Sequence, residues 1–153
     1  MRARSTLRIL FFAGWASTAT LLLWIHRSAR LGPDELNVCE AVFRYQIDSV
    51  EKAIPGSIST YYLSVNDLNP PQSLLDRLRA DNLHVARGSF FLPDLWKGAW
   101  HSVIRSMERI DDRTFLVHGG YENGGLSASG EDYTVVHRDG RWSVERAVLR
   151  IVA

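Results

Sequence analysis

The sequence predicts an α+β fold in which an N-terminal transmembrane helix precedes a long amphipathic helix packed on a curved antiparallel sheet. Three observations lead to this prediction. Residues 9–25 contain no charged side chain. Over residues 35–54, apolar side chains recur every three or four positions, which is the period of a helix. The last third of the chain alternates strand-forming segments with turn residues, as an antiparallel meander does.

The apolar segment 9–25 is bracketed by arginines and predicts a membrane anchor. At about 1.5 Å per residue it would span roughly 25 Å as a helix, against a hydrocarbon core of about 30 Å. Arg8 and Arg27 can bridge the difference by extending toward the headgroups, and Trp24 suits the membrane interface. We therefore expect residues 1–30 to form a short stub and an anchor, with the lipid bilayer as partner.

The alternative for this segment is a cleaved signal peptide that releases a secreted protein. Ser17 and Ala19 offer the small residues that signal cleavage requires. Cleavage there would leave the apolar residues 21–25 at the start of the mature chain, so we favour the uncleaved anchor. Three arginines and the α-amino group precede the segment, which favours a cytoplasmic amino end and a domain outside the cell membrane.

Residues 31–153 carry 13 basic and 17 acidic side chains, a net charge of −4. A protein that reads nucleic acid needs a concentrated basic face, and no such cluster occurs here. We therefore exclude nucleic acid as a partner. About 120 residues correspond to a single domain, which we place at 31–153.

Cys39 is the only cysteine, so the chain cannot form an internal disulfide. On the predicted helix it shares a face with Phe43, Ile47 and Val50. This pattern predicts a buried and unreactive thiol, because free cysteine packs as a small apolar side chain.

A first helix is predicted over residues 35–54, with Asp34 as its N-cap and Pro55-Gly56 as its end. A strand over residues 57–65 and a turn over 66–71 follow. A second, short helix begins at Pro71 or Ser73. Its buried side is predicted to consist of four leucines: Leu74, Leu75, Leu78 and Leu83.

Four strands are predicted in the last third, at residues 102–110, 114–120, 132–138 and 142–152. Asp111-Asp112 and Asp139-Gly140 have the residue types of hairpin turns. Short hairpin connections require antiparallel neighbours, so the sheet is expected to curl around the first helix as a meander.

This order of elements, closed by the strand Trp142-Ser143-Val144-Glu145, resembles the nuclear-transport-factor-2-like superfamily, also called cystatin-like or SnoaL-like cones. The resemblance covers roughly residues 35–152. It implies a pocket between sheet and helix, in a superfamily that includes small isomerases and dehydratases, ligand binders and assembly domains. A single anchor followed by such a domain also resembles the inner-membrane scaffold proteins of type IV secretion systems.

Four histidines lie in the predicted domain, at His84, His101, His118 and His137. A zinc site needs three or four converging ligands, and no His-x₃-His or Cys-x₂-Cys spacing is present. Pairing about the predicted Asp111-Asp112 turn sets His118 opposite Arg105, away from His101. We therefore expect neither a metal nor a cofactor.

An acid–base pair is the remaining catalytic hypothesis. The resemblance implies that a histidine and a carboxylate can abstract a proton in the pocket. His118 on a central strand is the candidate, with Glu131, Asp132 or Asp48 as its partner. The alternative is a polar pair with a structural role only.

The glycine-rich segment 119–125 has neither the spacing of a phosphate-binding loop nor a following helix, so it predicts a bulge and a hairpin. Residues 125–129 lack the last glycine of a nucleophile elbow, so this motif does not predict a hydrolase.

Residues 90–96, continuing to Trp100, form the most apolar loop of the domain. We expect this loop to cover the sheet as part of the core. The alternatives are a lid, a partner site or a segment that touches the bilayer.

Together these features predict a non-enzymatic, single-pass membrane protein whose outward domain binds another protein or a small apolar ligand. The alternative is a small pocket enzyme of the isomerase or dehydratase kind that uses the histidine–carboxylate pair.

Overall fold

A computed structural model of the chain describes residues 27–92, 98–123 and 127–152. Two helices and six strands occur in this part of the chain. In order they are α1 (Pro33–Ala53), β1 (Thr60–Val65), α2 (Gln72–Ala80), β2 (Val85–Arg87), β3 (Ala99–Asp111), β4 (Thr114–Asn123), β5 (Ser127–Arg138) and β6 (Arg141–Val152). A 3₁₀ turn at Gly88–Phe90 follows β2 directly.

The predicted fold class, an antiparallel cone behind a transmembrane helix, is wrong. The sheet is mixed, with the strand order β2-β1-β3-β4-β5-β6, and β1 runs parallel to both β2 and β3. In the described ranges, neither helix is long and apolar enough to cross a bilayer. The first of them, α1, begins only at Pro33.

The physical reason for the mixed sheet is the short strand β2. Its three residues are too few to produce a recognisable period in the sequence. Once β2 pairs with β1, the intervening helix α2 forms a crossover, and a crossover makes the two strands parallel. The fold is therefore a β–α–β unit joined to the predicted meander of β3 to β6.

Residues 9–25 lie outside the described residues. The predicted anchor, its orientation and the signal-cleavage alternative all concern this segment and the chain before residue 27.

Helix α1 begins at Pro33, earlier than predicted, because proline is well suited to the first helical position. The amide of Gly32 donates a hydrogen bond to Glu35 Oε2 at 2.7 Å, which satisfies one of the free donors at this helix end. The helix ends before Gly56, whose φ of 65° reverses the chain.

The core lies between the two helices and one face of the sheet. Helix α1 buries a continuous stripe: Val38, Cys39, Val42, Phe43, Gln46, Ile47 and Val50. Helix α2 adds Leu74, Leu75 and Leu78, as predicted, and Leu83 packs against this core from the loop that follows α2. Each large apolar side chain buried in this way contributes roughly 1.5–3 kcal/mol.

Cys39 is fully buried, as its helical spacing predicted. Its thiol lies 3.5 Å from Met107 Sδ. Burial, with a smaller contribution from Glu35, raises the pKa of the thiol to about 12. The side chain therefore stays neutral and unreactive at physiological pH.

The Asp139-Gly140 hairpin is confirmed. Both residues have positive φ, 53° and 79°, as a type I′ turn requires. The other hairpin turns one residue later than predicted, since β3 ends at Asp111 and β4 begins at Thr114. This later turn, together with a register shift between Arg109 and Asp111, pairs His118 with Ser106 and not with Arg105.

Gly119 and Gly120 allow β4 to approach its neighbours closely. A Cβ atom on Gly119 would lie 2.5 Å from the carbonyl oxygen of Val103, and one on Gly120 would lie 1.9 Å from that of Ser129. The pairing of β3 with β4 shifts register directly opposite Gly119. The predicted bulge is thus confirmed, and the tip of the next hairpin, residues 124–126, lies outside the described residues.

Candidate functional site

A pocket of about 260 Å³ lies between α1 and the inner face of the sheet, which is the face that carries the core. The helix side of the pocket is formed by the second half of α1. The lining residues come from α1, β3, β4 and β5: Tyr45, Gln46, Ser49, Val50, Ala53, Ile54, Trp100, Gly120, Tyr121, Glu131 and Tyr133. Most of them are apolar or aromatic, as is usual for small-molecule sites.

Two buried polar atoms of this pocket have no hydrogen-bond partner among the described residues. They are the acceptor Gln46 Oε1 and the donor Trp100 Nε1. Gln46 is only 6% exposed and Trp100 only 8%. An unpaired buried donor or acceptor costs roughly 1–3 kcal/mol. Both atoms are fully buried, so a molecule in the pocket would reach them only after neighbouring side chains move.

A hydrogen-bond chain fixes the polar side of the pocket. Gln46 Nε2 donates to Tyr133 Oη at 3.0 Å and to the carbonyl of Gly120 at 3.2 Å. Tyr133 in turn donates its hydroxyl to Glu131 Oε2 at 2.6 Å, and Ser129 Oγ donates to Glu131 Oε1 at 3.2 Å. The amide of Gln46 is therefore oriented, and its oxygen is the atom left without a partner.

Tyr133 remains protonated in this chain of hydrogen bonds. Burial raises its pKa above the ordinary value, and the hydrogen bond to the Glu131 carboxylate raises it further. The hydroxyl is therefore a hydrogen-bond donor to Glu131 and cannot serve as a general base near neutral pH.

Of the two catalytic candidates, Glu131 lies in this pocket and His118 does not. Consecutive residues of a strand point to opposite faces. Val117 and Tyr133 belong to the core face. His118 therefore points to the outer face, where it pairs with Asp132.

The structure joins His118 to one of its three predicted partners. His118 Nδ1 lies 2.6 Å from Asp132 Oδ1, and Arg150 Nη2 lies 2.6 Å from the other carboxylate oxygen. Glu131 and Asp48 are not in contact with His118, since Glu131 is bonded to Tyr133 and Asp48 pairs with Lys52. The side chain of His118 is also 43% exposed.

The remaining histidines are dispersed. His84 is exposed, His137 stacks on Trp142 at 5.1 Å between ring centroids, and His101 lies on the outer face of β3. Within ranges 27–92, 98–123 and 127–152, no group of three or more His, Cys, Asp or Glu side chains converges on a point where a metal ion could bind.

The apolar loop contributes to the outer face and not to the helical core. The Phe91 ring packs on Tyr62 at 5.6 Å and on His101 at 4.9 Å between centroids. Phe90 and Leu92 are each about half exposed, and residues 93–97 lie outside the described residues. Trp100, where the predicted loop ends, is buried on the core side.

Gln46 and Trp100 were missed as site residues by sequence reasoning. A signal existed for Gln46, because it is a polar residue within the apolar stripe between Phe43, Ile47 and Val50. Buried amides need partners, so such an interruption of a helical core face indicates a polar site.

No family model matches the chain, and no similar curated protein or solved structure was found.

Proposed function

We propose that the domain binds a small, mostly apolar molecule in the pocket between α1 and the sheet. The observation that supports this proposal is the pair of buried atoms without partners, Gln46 Oε1 and Trp100 Nε1. A protein interior leaves few such groups unpaired, and two of them lining one cavity are well explained by a ligand.

The chemistry of the two atoms defines the ligand. Gln46 Oε1 needs a hydrogen-bond donor, and the indole of Trp100 needs an acceptor. A neutral group with both functions, such as a carboxamide, would satisfy them together. An anionic ligand is disfavoured, because the Glu131 carboxylate lines the same pocket.

The pocket volume limits the size of the ligand. About 260 Å³ is slightly below the range of roughly 300–1,000 Å³ that is typical for drug-sized ligands. The ligand is therefore a compact molecule, and the aromatic rings of Tyr45, Trp100 and Tyr121 favour a flat ring as its apolar part.

Binding is better supported than proton abstraction by the predicted pair. His118 is on the other face of the sheet, and Tyr133 holds its proton. A carboxylate without a second acid–base group supports recognition of a ligand more directly than catalysis.

We further propose that residues 9–25 attach the domain to a membrane, with the amino end in the cytoplasm and the domain outside. The support for this part is the uncharged apolar sequence and its arginine flanks. The secreted form remains the alternative.

Benzamide is a suitable probe, since it combines a flat ring with a neutral carboxamide. We expect saturable binding of benzamide to the full-length protein in calorimetric titration. In Gln46→Leu the acceptor is lost, and the dissociation constant should rise at least tenfold, equivalent to about 1.4 kcal/mol.

Gln72→Leu is the matched control, because Gln72 is an exposed glutamine at the start of α2. It should leave benzamide binding unchanged, and circular dichroism should show that both variants are folded. Absence of saturable binding, or equal affinity of wild type and Gln46→Leu, would contradict the proposal.

A further inference from the structure

A second pocket, of about 210 Å³, opens on the outer face of the sheet. Three of its lining residues come from three neighbouring strands: Ser64 on β1, His101 on β3 and Glu122 on β4. The parallel pairing of β1 with β3 and the antiparallel pairing of His101 with Glu122 bring them together.

These three side chains lie in a row in which Ser64 has the position of a nucleophile, His101 that of its base and Glu122 that of the carboxylate beside the base. Ser64 Oγ lies 2.8 Å from His101 Nε2, within hydrogen-bond distance. On the other side of the ring, His101 Nδ1 lies 3.6 Å from Glu122 Oε2. Glu122 is itself oriented by Arg105, whose Nη2 lies 2.6 Å from Glu122 Oε1.

His101 Nδ1 is buried and has no hydrogen-bond partner among the described residues. A small rotation of the half-exposed Glu122 side chain would complete this hydrogen bond. Catalytic hydrogen bonds are often long before a substrate binds. Glu122 would then fix the tautomer in which Nε2 accepts the proton of Ser64.

The surroundings favour a neutral imidazole. Burial lowers the pKa of His101, and nearby Arg105 lowers it further, against the raising effects of Glu122 and Asp67. A neutral ring at physiological pH has a free lone pair on Nε2, so it can act as a general base.

Gly88 packs directly against the serine, which is only 7% exposed. A Cβ atom at this position would lie 1.8 Å from Ser64 Oγ and 3.0 Å from His101 Nε2. Any larger residue would therefore overlap the Ser64 hydroxyl and displace it from His101. The Phe91 ring, 4.9 Å from the His101 ring, packs against the imidazole and limits its rotation.

We propose that Ser64 is the nucleophile of an acyl-transfer site that hydrolyses small esters. Ser64 Oγ attacks the acyl carbon while its proton moves to His101 Nε2. The bond to the leaving oxygen then breaks, and the alcohol departs with that proton. A water molecule then attacks the acyl-enzyme while His101 takes its proton. The carboxylic acid leaves, and the proton passes to Ser64 Oγ, which restores the serine. Glu122 is a positioning residue that acts through His101.

The sequence contains no motif for such a site, because Ser64 lies within a strand and not at a strand-to-helix elbow. The three residues meet only through the strand order of the mixed sheet.

An alkyl fluorophosphonate, which phosphonylates activated serines, tests the proposal on the full-length protein. Peptide mass mapping should locate the adduct at Ser64. The labelling rate should fall at least a hundredfold in His101→Gln, since general-base catalysis contributes about 10²–10⁴-fold. In Glu122→Gln the rate should fall and the pH profile of labelling should shift, which a purely structural role would not produce.

Ser73→Ala is the matched control, because Ser73 is an exposed serine of α2 that does not line this pocket. It should be labelled at Ser64 at the wild-type rate. Ser64→Cys provides a second nucleophile, whose alkylation by iodoacetamide should slow when combined with His101→Gln. A folded wild-type protein without an adduct at Ser64, or with a labelling rate independent of His101, would overturn the proposal.

Discussion

Asp132 is the most heavily paired carboxylate on the outer face of the sheet. It accepts a hydrogen bond from His118 on one oxygen and from Arg150 on the other. The hydrogen bond from His118, followed by that from Arg150, lowers the pKa of Asp132. One of the three pairings that sequence reasoning proposed for catalysis therefore exists, but as a contact on the outer face in which His118, Asp132 and Arg150 join three neighbouring strands.

The lowered pKa of Asp132 predicts how stability changes with pH. A carboxyl with a depressed pKa in the folded state stabilises the fold above its unfolded pKa of about 3.9. That contribution is lost as the pH falls through the folded pKa. The free energy of unfolding of the wild type should therefore decrease more steeply below about pH 4 than that of Asp132→Asn.

Urea unfolding between pH 2.5 and pH 7 measures this difference. At pH 7 the loss in Asp132→Asn should stay below about 1 kcal/mol, because its partners His118 and Arg150 are 43% and 65% exposed and such pairs contribute little. Asp112→Asn, at an exposed turn, serves as the control. Parallel pH profiles for the wild type and Asp132→Asn would show that Asp132 is not the responsible group.

At the scale of the elements, β4 packs closely against β3 and β5 because its two glycines carry no side chain at the contact. Two features of Gly120 exclude a side chain. Its φ is 146°, and a Cβ atom there would lie 1.9 Å from the carbonyl oxygen of Ser129. Gly140 also has a positive φ, 79°, but a Cβ atom there would have no neighbouring atom within 4 Å. Comparing alanine substitutions at these two positions therefore separates the energetic cost of backbone strain from that of steric overlap.

Gly120→Ala should destabilise the domain more than Gly140→Ala. Strain alone in Gly140→Ala should cost about 1–2 kcal/mol. Overlap with the backbone of β5 should add about 1–3 kcal/mol in Gly120→Ala. Urea unfolding midpoints at constant m-value give the loss in free energy of unfolding for each variant. Equal losses in the two variants would mean that β5 moves away from β4 at this point without a measurable cost.

The individual helices and strands could be predicted from neighbouring residues in the sequence, but the way in which they assemble could not. The apolar period of α1 and the Asp139-Gly140 turn are both patterns of nearby residues, so they can be recognised in the sequence. The register of β4 against β5 depends on the length of the connection at residues 124–126, so the sequence could not tell that His118 faces Asp132 while Glu131 faces the pocket. The Ser64–His101 contact depends on the direct parallel pairing of β1 with β3, which are separated in the sequence by α2 and the three-residue strand β2.

At the scale of the whole molecule, the domain presents two different pockets on the two faces of one sheet. The inner pocket is lined by aromatic rings, and the Gln46 amide oxygen and the Trp100 indole N–H there have no partner among the described residues. The outer pocket carries a serine, a histidine and a carboxylate. Because β3 and β4 contribute residues to both, a ligand in one pocket contacts the same strands as a ligand in the other.

The proposed membrane attachment is also a property of the whole molecule. We expect the full-length protein to stay with the membrane pellet after alkaline carbonate extraction. Ala16→Arg should release it, since an arginine in the middle of a span costs roughly 2.5–3.5 kcal/mol. Ile110→Arg, at an exposed position in β3, should remain in the pellet.

Amino-terminal sequencing of the purified protein distinguishes attachment from secretion. An intact amino terminus with retention in the pellet supports the anchor. Release of the wild type by carbonate, or a mature chain that begins near Thr20, would show that residues 9–25 are not a permanent anchor.

The two border strands of the sheet have a consequence for behaviour at high concentration. An unpaired strand border is a template on which further chains can add and aggregate. Here β2 offers only three residues, and β6 carries exposed charges at Arg141, Glu145, Arg146 and Arg150. Like-charged arginines would face each other if two such borders met, so the folded domain should resist fibril growth and remain dispersed when concentrated.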